Sequence, residues 1–406
     1  HLFPPSHGPF FLSGIDELLT YHYLIAEVCA VLPLHAAADG GDVEYPVTPD
    51  AFFALSKVEQ ADVVWTHLFL RRSPVSEACR GVLTTLSMLG LKDAVTRRDL
   101  AAIRDWFASR TPEEHVEEVF RVAGLKYVVM TNEPFVPAQL EHWHPPKPCT
   151  KELVSKRFRA ALRVDPLLSG DWATVRAALD AGGHKPSAAG LKSFLLEYVA
   201  VMRPVYLMAS TPAGFKVDGA AIVALAAEPT PTALGPLSAT SMLAVLMQVA
   251  VETSLGLAIK VGAVRGVNPR LRSGGDGVEV ADLAWLGSLC LLFPDVKFLV
   301  TVLSRDNQHE LCVLSRKFPN LHPYGCWWFC NNPSIISSVT TMRLEMLGTS
   351  FTAQHSDARV LEQLPYKWGH SRKLIADALS DALVATASTG WTITREDIER
   401  DAHALL

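Results

Sequence analysis

The spacing of apolar residues divides the chain into two parts. From residue 15 to about residue 124, apolar side chains recur every three to four positions, as in SKVEQADVVWTHLFL and PEEHVEEVFRVAG. This spacing is typical of amphipathic helices and leaves little room for strands. Ser56, Ser73 and Thr111 precede such stretches and fit the N-cap position. The first part of the chain is therefore predicted to be a helical block.

The second part alternates short apolar runs with helical stretches. The runs are rich in β-branched and other apolar residues and number seven: YVVMTN, FRAALRV, VYLMAS, LAIKVGAV, KFLVTVLS, HPYGCWWF and SFTAQHSD. Helical stretches such as DWATVRAALDAGG and SRKLIADALSDALVATAS separate them. Alternation of this kind favours right-handed βαβ units and a parallel sheet.

One more strand, ending at or before His1, would close these seven into a (β/α)8 barrel. The helical block would then be an insertion after strand one. In this division residues 1–7 end the first strand, residues 8–124 form the helical insertion and residues 125–406 form the remainder of the barrel. Because HLFPPSHG lacks an initiator methionine, we expect the sequence to begin inside a longer gene product.

Composition excludes several classes of protein. The net charge is −5 and the basic residues are scattered, so the chain has no basic stripe for nucleic acid. The most apolar region, residues 234–251, is interrupted by Gly, Pro, Ser, Thr and Gln. Its unbroken apolar pieces are well short of the ~20 residues that a membrane span needs. The seven cysteines form no CxxC pair, and most of them sit in apolar surroundings. They indicate reduced core thiols in a cytoplasmic protein.

Polar residues at the C-terminal ends of barrel strands form the active site, because only those ends open onto the loops that hold a substrate. This rule selects His1, Asn132, Glu133, Arg163, Lys260, Ser304, Arg305, Trp327, Trp328, Asp357 and Arg359. Some of these have structural interpretations as well. Asp357 fits a turn or an N-cap, and one of the two tryptophans fits the core. Arg163 beside Asp165 fits a surface ion pair of little energetic weight.

Two histidine clusters lie outside this set. His22 and Tyr23 are adjacent near the start of an amphipathic helix. His142 and His144 have the HxH spacing of a metal pair, but they lie in a proline-rich loop without convergent carboxylates. We therefore interpret them as a loop feature and not as a metal site.

Nine longer motifs follow one another along the chain: HLF, TYHYLIAEV, RSPVSEACRGVLT, VVMTNEPF, ALRVDPLL, FLVTVLSRDNQHEL, GCWWFCNNP, RLEMLGTSF and QHSDARVLEQLPYKW. Together they resemble the uronate isomerases, also called glucuronate isomerases, of the metal-binding amidohydrolase superfamily. The resemblance covers nearly the whole chain. It implies an α/β fold, a distorted (β/α)8 TIM-like barrel. It also implies interconversion of D-glucuronate with D-fructuronate and of D-galacturonate with D-tagaturonate.

Four catalytic residues are implied by the resemblance. The Asp-x-Arg motif of the family's last strand matches Asp357 and Arg359, and its His-Tyr pair near the substrate matches His22 and Tyr23. Asp357 would bind the metal or act as base, kept ionised by a nearby cation. Arg359 would lower the cost of a Tyr23 phenolate that carries the proton. His22 would hydrogen-bond a substrate hydroxyl or the metal-bound group.

Substrate-binding residues are implied in the same way. The arginine on the family's third strand matches Arg163, whose guanidinium fork suits carboxylate or hydroxyl pairs. The first tryptophan of its Trp-Trp pair matches Trp327, which would wall one face of the sugar. More distant members carry a histidine on strand five, where this chain has Lys260.

The resemblance also implies a divalent metal, usually zinc, acting as template and Lewis acid. The family's first strand ends in His-x-His-Leu, whose two histidines bind the metal. His1 matches the second of these histidines, and the first would lie two positions upstream of it. Asp357 would be a further ligand.

Two other functions remain open from the sequence. A metal-dependent amidohydrolase acting on a lactone or amide would use Asp357 to activate water, but would usually carry histidines where Lys260 and Ser304 stand. A non-catalytic barrel would bind a sugar acid. As an isomerase, the protein would act on a small-molecule hexuronate, with neither nucleic acid nor membrane as partner. The sequence does not decide between a monomer and a homo-oligomer.

Overall fold

The computed structural model describes residues 2–4, 10–41, 43–143, 156–227 and 234–406. Within these ranges one sheet contains seven strands, six of them parallel in the order β1-β2-β3-β4-β6-β7. The strands are β1 (Val128–Asn132), β2 (Phe158–Arg163), β3 (Leu207–Pro212), β4 (Leu257–Val264), β5 (Gly277–Val278), β6 (Phe298–Val302) and β7 (Leu321–Pro323). The short β5 pairs antiparallel with β4.

Isolated bridges close the sheet into a barrel. Leu2 pairs in parallel with Met130 of β1 on one side and with Ala358 on the other. Tyr324, just after β7, pairs in parallel with Thr352. The chain at Leu2 and the segment from Thr352 to Ala358 therefore fill the two barrel positions between β7 and β1. The predicted TIM-like barrel is confirmed, and its last strand is distorted because bridges replace a continuous ladder.

Between Ile15 and β1 the described residues form helices joined by short turns, in agreement with the predicted insertion of helices after the first strand position. They are α1 (Ile15–Leu19), α2 (His22–Ala38), α3 (Pro49–Ala54), α4 (Lys57–Val64), a π-helical turn (Trp65–Leu70), α5 (Glu77–Met88), α6 (Lys92–Arg97), α7 (Leu100–Ala108) and α8 (Pro112–Ala123). His1 and the predicted boundary between residues 7 and 8 lie outside the described residues.

The predicted N-caps are right at two of three positions. Ser56 and Thr111 each cap a helix through a capping box. The prediction at Ser73 is wrong, because α5 begins at Glu77 and its N-cap is Ser76. The Ser76 hydroxyl accepts the backbone N–H of Cys79 and donates to Glu27 of α2 at 2.8 Å. This hydrogen bond between α2 and the start of α5 favours Ser76 as the N-cap residue.

Helices of the barrel lie outside the strands. They are α9 (Pro137–Trp143), α10 (Asp165–Ser169), α11 (Trp172–Ala181), α12 (Ala188–Met202), α13 (Gly219–Ala227), α14 (Ala239–Thr253), a 3-10 turn (Pro269–Gly275), α15 (Ala284–Leu292), α16 (Asp306–Ser315), a 3-10 turn (Trp328–Cys330), α17 (Pro333–Leu347), α18 (Gln363–Ser388) and α19 (Arg395–Leu405). The helix predicted from Ser371 thus begins at Gln363, directly after the last barrel segment.

Two apolar cores organise the described residues. One joins the barrel strands to the helices around them, and the other lies within the helical block and reaches Val360 beside the last barrel segment. Cys29, Cys79, Cys290, Cys312, Cys326 and Cys330 are buried and free, while Cys149 lies outside the described residues. In the part of the chain that is described, no helix is both long and apolar enough to span a membrane.

Candidate active site

A cavity of about 250 Å³ lies where the barrel strands meet the first residues of α2. It is lined by the sequence-predicted residues His22, Tyr23, Arg163, Trp327, Asp357 and Arg359. Glu133, Lys260 and Trp328, selected at strand ends, line it as well. The fold therefore brings His22 and Arg359, which lie 337 positions apart in the chain, to the same cavity.

The Asp357 carboxylate is fixed by donors from two different elements. Lys260 Nζ, on β4, donates to Oδ1 at 2.9 Å, and the backbone N–H of Trp328 donates to Oδ2 at 3.2 Å. The Asp357 side chain is only 8% exposed. Asp357 and Trp328 both have a left-handed backbone, with φ of 45° and 44°. Such conformations are costly for residues other than glycine, and they cluster at functional sites.

The charges around Asp357 keep it ionised. Burial is the largest single influence and would raise the pKa of this carboxyl, but Lys260, His355 and Lys367 together outweigh it. The resulting pKa lies well below the usual range of an aspartate. Lys367 Nζ also donates to the Asp357 backbone carbonyl at 3.0 Å. The carboxylate is therefore available as a base at neutral pH.

Arg359 presents a guanidinium that has no acidic partner among the described residues. Its backbone N–H donates to Gln363 Oε1 at 2.6 Å, which fixes the turn before α18. Burial lowers the pKa of Arg359, and the nearby cations Arg163 and Arg265 lower it further. A cation held beside other cations is a ready partner for an anionic ligand.

Arg163 is held differently, because its charge is already neutralised within the protein. The guanidinium bonds to Asp165 and lies 3.3 Å from Glu133 Oε1. These two carboxylates outweigh burial and raise the pKa of Arg163. The Arg163 side chain is 13% exposed, so the surface ion pair considered from the sequence is instead a mostly buried one. Of its guanidinium atoms, Nε is buried without a hydrogen-bond partner in the described part of the chain.

His22 begins α2 and faces the cavity as a neutral ring. Its ring lies 5.8 Å from that of Trp328, edge to face. Burial, helped by Arg359 and Lys367, lowers the pKa of His22 to about 3. Both ring nitrogens are buried and have no hydrogen-bond partner in the residues that the structure describes. A ligand hydroxyl would satisfy them.

Tyr23 lies in a buried environment at the cavity that disfavours its phenolate. Its ring stacks on Phe329, with centroids 5.9 Å apart. Burial raises the pKa of Tyr23 well above its ordinary value, and Asp357 raises it further. The hydroxyl is therefore protonated before any reaction begins, and the role of Tyr23 as proton carrier stays a prediction.

Aromatic rings form part of the cavity wall. Trp327 and Trp328 are both buried and both line the cavity. Each ring therefore packs in the interior and also faces the site. The Lys260 ammonium lies 4.3 Å from the centroid of the Phe3 ring and 5.4 Å from that of Trp327. These faces provide flat apolar walls and favour the cation between them.

Not every strand-end residue reaches the site. Asn132, Ser304 and Arg305 do not line the cavity, and Ser304 instead accepts the N–H of Asp306 at the start of α16. His142 lies in α9 and not in a loop, because the helix extends to Trp143. Its side chain, like all of His144, lies outside what the structure describes.

Several lining residues were missed from the sequence. They are Phe3, Pro4, Tyr21, Thr131, Gln139, Ser210, Arg265, Ser273, Asp276, Gln363 and Lys367. Most of them come from loops or from helix interiors, where the strand-end rule does not apply. Lys367 could have been found, since it lies in the same long motif, QHSDARVLEQLPYKW, as Asp357 and Arg359.

Of the two metal ligands predicted from the sequence, Asp357 lies among the described residues and His1 does not. Within the described ranges, no three histidine, cysteine, aspartate or glutamate side chains come together in a way that could hold a metal ion. Asp357 is the predicted ligand that is described, and both its oxygens already accept hydrogen bonds. The described residues therefore do not fit a metal by themselves, and His1 lies outside them.

The barrel and its cavity define an enzyme of the (β/α)8 class, with charged and aromatic residues gathered where the barrel strands meet α2. No protein-family model and no curated protein matches the chain. Solved structures do. A uronate isomerase from Bacillus halodurans C-125 is similar, with a TM-score of 0.85 and 43% identity over 100% of this chain and 89% of that one. The chain belongs to the uronate isomerase family, as its motifs implied.

A more distant structure shares the fold. A uronate isomerase from Thermotoga maritima has a TM-score of 0.71 and 16% identity, over 99% of this chain and 92% of that one. At this identity the similarity concerns the fold alone, and it supports the barrel described above.

Proposed function

We propose that the protein is a hexuronate isomerase that interconverts D-glucuronate with D-fructuronate and D-galacturonate with D-tagaturonate in this cavity. One observation carries the proposal: an ionised Asp357 and an Arg359 guanidinium without an acidic partner in the described residues line the same cavity. The first is a base for a C–H proton, and the second suits the acid group of a sugar acid. The uronate isomerase from Bacillus halodurans, 43% identical, supports the same reaction.

Isomerisation moves one hydrogen from C2 to C1 and one from O2 to O1. In the direction from aldose to ketose, Asp357 takes the C2 proton while the Tyr23 hydroxyl protonates O1. The C2 electron pair then forms the C1–C2 double bond of an enediol. In the second half, O2 returns its proton to Tyr23 and becomes the carbonyl, while Asp357 delivers its proton to C1. Both residues end in their starting protonation states.

Charge decides how the substrate is oriented. Arg359 binds the carboxylate at the far end of the open-chain sugar, because it lines the cavity and forms no salt bridge with a described carboxylate, although the charges of Asp357 and Asp276 act on it. Arg163 contributes as a clamp through its Nε–H to a hydroxyl, since its other nitrogens face Asp165 and Glu133. His22 hydrogen-bonds a second hydroxyl, and Trp327 walls one face of the chain.

A divalent metal, zinc by the resemblance, is a separate proposal. Asp357 and His1 would hold it, and it would polarise substrate oxygens. None of the proton transfers above passes through it. We also propose that the enzyme acts in the cytoplasm, which its buried free thiols support.

Proton NMR of the purified protein with D-glucuronate and with D-galacturonate tests the function. We expect signals of the matching ketose acid, and a parallel sample with a chelator shows whether turnover needs metal. A folded protein that converts neither sugar acid, with or without added zinc, would contradict the proposal. A screen of lactones and amides would then test the amidohydrolase alternative.

A further inference from the structure

Lys260 is a buried cation that the proposed proton transfers do not use. It lies in the middle of β4, between Ser210 of β3 and Thr301 of β6. Its side chain is 1% exposed and reaches Asp357, a residue 97 positions later in the chain. The sequence offered no role for it, because more distant family members have a histidine at the corresponding position.

The contacts of Lys260 leave its ammonium with one acidic partner in the described part of the molecule. Nζ lies 2.9 Å from Asp357 Oδ1, and it also lies 4.3 Å from the Phe3 ring centroid and 5.4 Å from that of Trp327. Aromatic faces favour a cation but cannot neutralise it. The charge is therefore compensated by Asp357, and a loss of either partner leaves a buried charge uncompensated.

Each Asp357 oxygen has its own donor, which restricts rotation of the carboxylate. Lys260 holds Oδ1 from β4, while the Trp328 N–H holds Oδ2 from the turn after β7. Without Lys260, the side chain could leave this orientation for another rotamer. A base displaced by even ~1 Å loses much of its rate, because proton transfer requires the reacting atoms in near contact.

We propose that Lys260 is the positioning residue that orients Asp357 for proton transfer, and that its ammonium competes with a divalent cation for the same carboxylate. The first half of this inference rests on the proposed function. The second half rests on charge alone, since an ammonium 2.9 Å from Oδ1 repels a second cation placed there.

A double-mutant cycle tests the orientation. Lys260→Met removes the ammonium while keeping a side chain of similar length, and Asp357→Asn removes the base. We expect Lys260→Met to lower kcat at least tenfold with KM changed less than about threefold, and to lower it less than about twofold in the Asp357→Asn background. Lys260→Arg, which keeps the charge, should recover part of the loss.

Zinc titration by calorimetry tests the competition without turnover. We expect Lys260→Met to bind Zn²⁺ at least tenfold more tightly than the unmodified protein, and Asp357→Asn to abolish that gain. Circular dichroism checks that each variant is folded. If Lys260→Met does not fold, Lys260→Arg and Lys260→Gln replace it in both arms.

Three outcomes are distinguishable. Equal losses of kcat from Lys260→Met in both backgrounds would overturn the positioning role, as would a change in KM alone. Equal zinc affinity with and without Lys260 would overturn the competition. If the unmodified protein converts no hexuronate, the proposed function fails, and the zinc arm still decides whether Lys260 and a metal share Asp357.

Discussion

His115 Nε2 and Glu362 Oε1 lie 2.6 Å apart in the interior, although 247 residues separate them in the chain. The same Glu362 oxygen accepts the backbone N–H of Gly14 at 2.7 Å, and the Glu362 carbonyl accepts the Thr85 hydroxyl at 2.8 Å. Three separate points of the helical block thus hold the turn that carries Arg359. The insertion is part of the framework of the active site.

Glu362→Gln should therefore destabilise the protein. The Glu362 side chain is fully buried, so the altered contact with His115 cannot be replaced by water. We expect a loss of about 1–3 kcal/mol in the free energy of unfolding, measured with urea. Glu197→Gln is the matched control, because Glu197 makes a similar contact to His184 with half of its side chain exposed. The control should lose less than about 1 kcal/mol, and equal losses would contradict the framework role.

Asp357→Asn should reduce turnover by orders of magnitude while the protein stays folded. An amide cannot accept the C2 proton, although it keeps the size of the side chain. Turnover of D-glucuronate and far-UV circular dichroism would be measured together. Asp377→Asn, at an exposed ion pair on α18, is the control and should leave both unchanged. Near-normal turnover of Asp357→Asn would remove it as the base.

Tyr23→Phe should lower kcat by about 10²–10⁴, the usual contribution of a general acid. The phenylalanine ring can keep the stacking on Phe329, so thermal stability should change little. Tyr45→Phe is a suitable comparison, because it removes an exposed hydroxyl that donates to Asp39 outside the cavity. Full turnover by Tyr23→Phe would exclude this tyrosine as the proton donor.

The two cavity arginines should respond differently to neutral substitution. Arg359→Met should raise KM for hexuronates at least tenfold without lowering stability, because it removes a cation that burial and other cations disfavour. Arg163→Met should lower the thermal midpoint, since it leaves Asp165 and Glu133 without their partner. A decreased midpoint for Arg359→Met with unchanged KM would argue against carboxylate binding.

Stability should decrease as pH falls below about 6.5. Burial lowers the pKa of His22 to about 3, and burial together with His35 lowers that of His67 to about 4. The unfolded chain, with an ordinary histidine pKa near 6.5, therefore binds protons that the folded protein excludes. Each histidine should cost up to about 1.4 kcal/mol per pH unit between pH 6.5 and its folded pKa.

Urea unfolding at pH 7, 6 and 5 measures this effect before most carboxylates titrate. His67→Gln, which removes one of the histidines with a lowered pKa and does not line the cavity, should show a shallower decrease. A free energy of unfolding that stays constant from pH 7 to pH 5 would contradict the assignment. A decrease that is the same in His67→Gln would exclude His67 as its source.

The sequence by itself determined the local elements and the family. The seven predicted apolar runs became barrel positions, because short apolar runs between amphipathic helices can be buried in few ways. Capping boxes at Ser56 and Thr111 could be recognised because they involve residues only three apart. The motifs also selected His22, Tyr23, Asp357 and Arg359, which line one cavity.

Tertiary structure alone decided how those residues are charged and held. Ser76 caps α5 in place of Ser73 because Glu27 of another helix reaches it. Arg163 is neutralised by Glu133, which comes from a different strand end, and Tyr23 keeps its proton because it is buried beside Asp357. The partner of Lys260 lies 97 residues away. Local pattern sets which element forms, whereas pKa and pairing depend on burial and on charges that only the folded chain brings together.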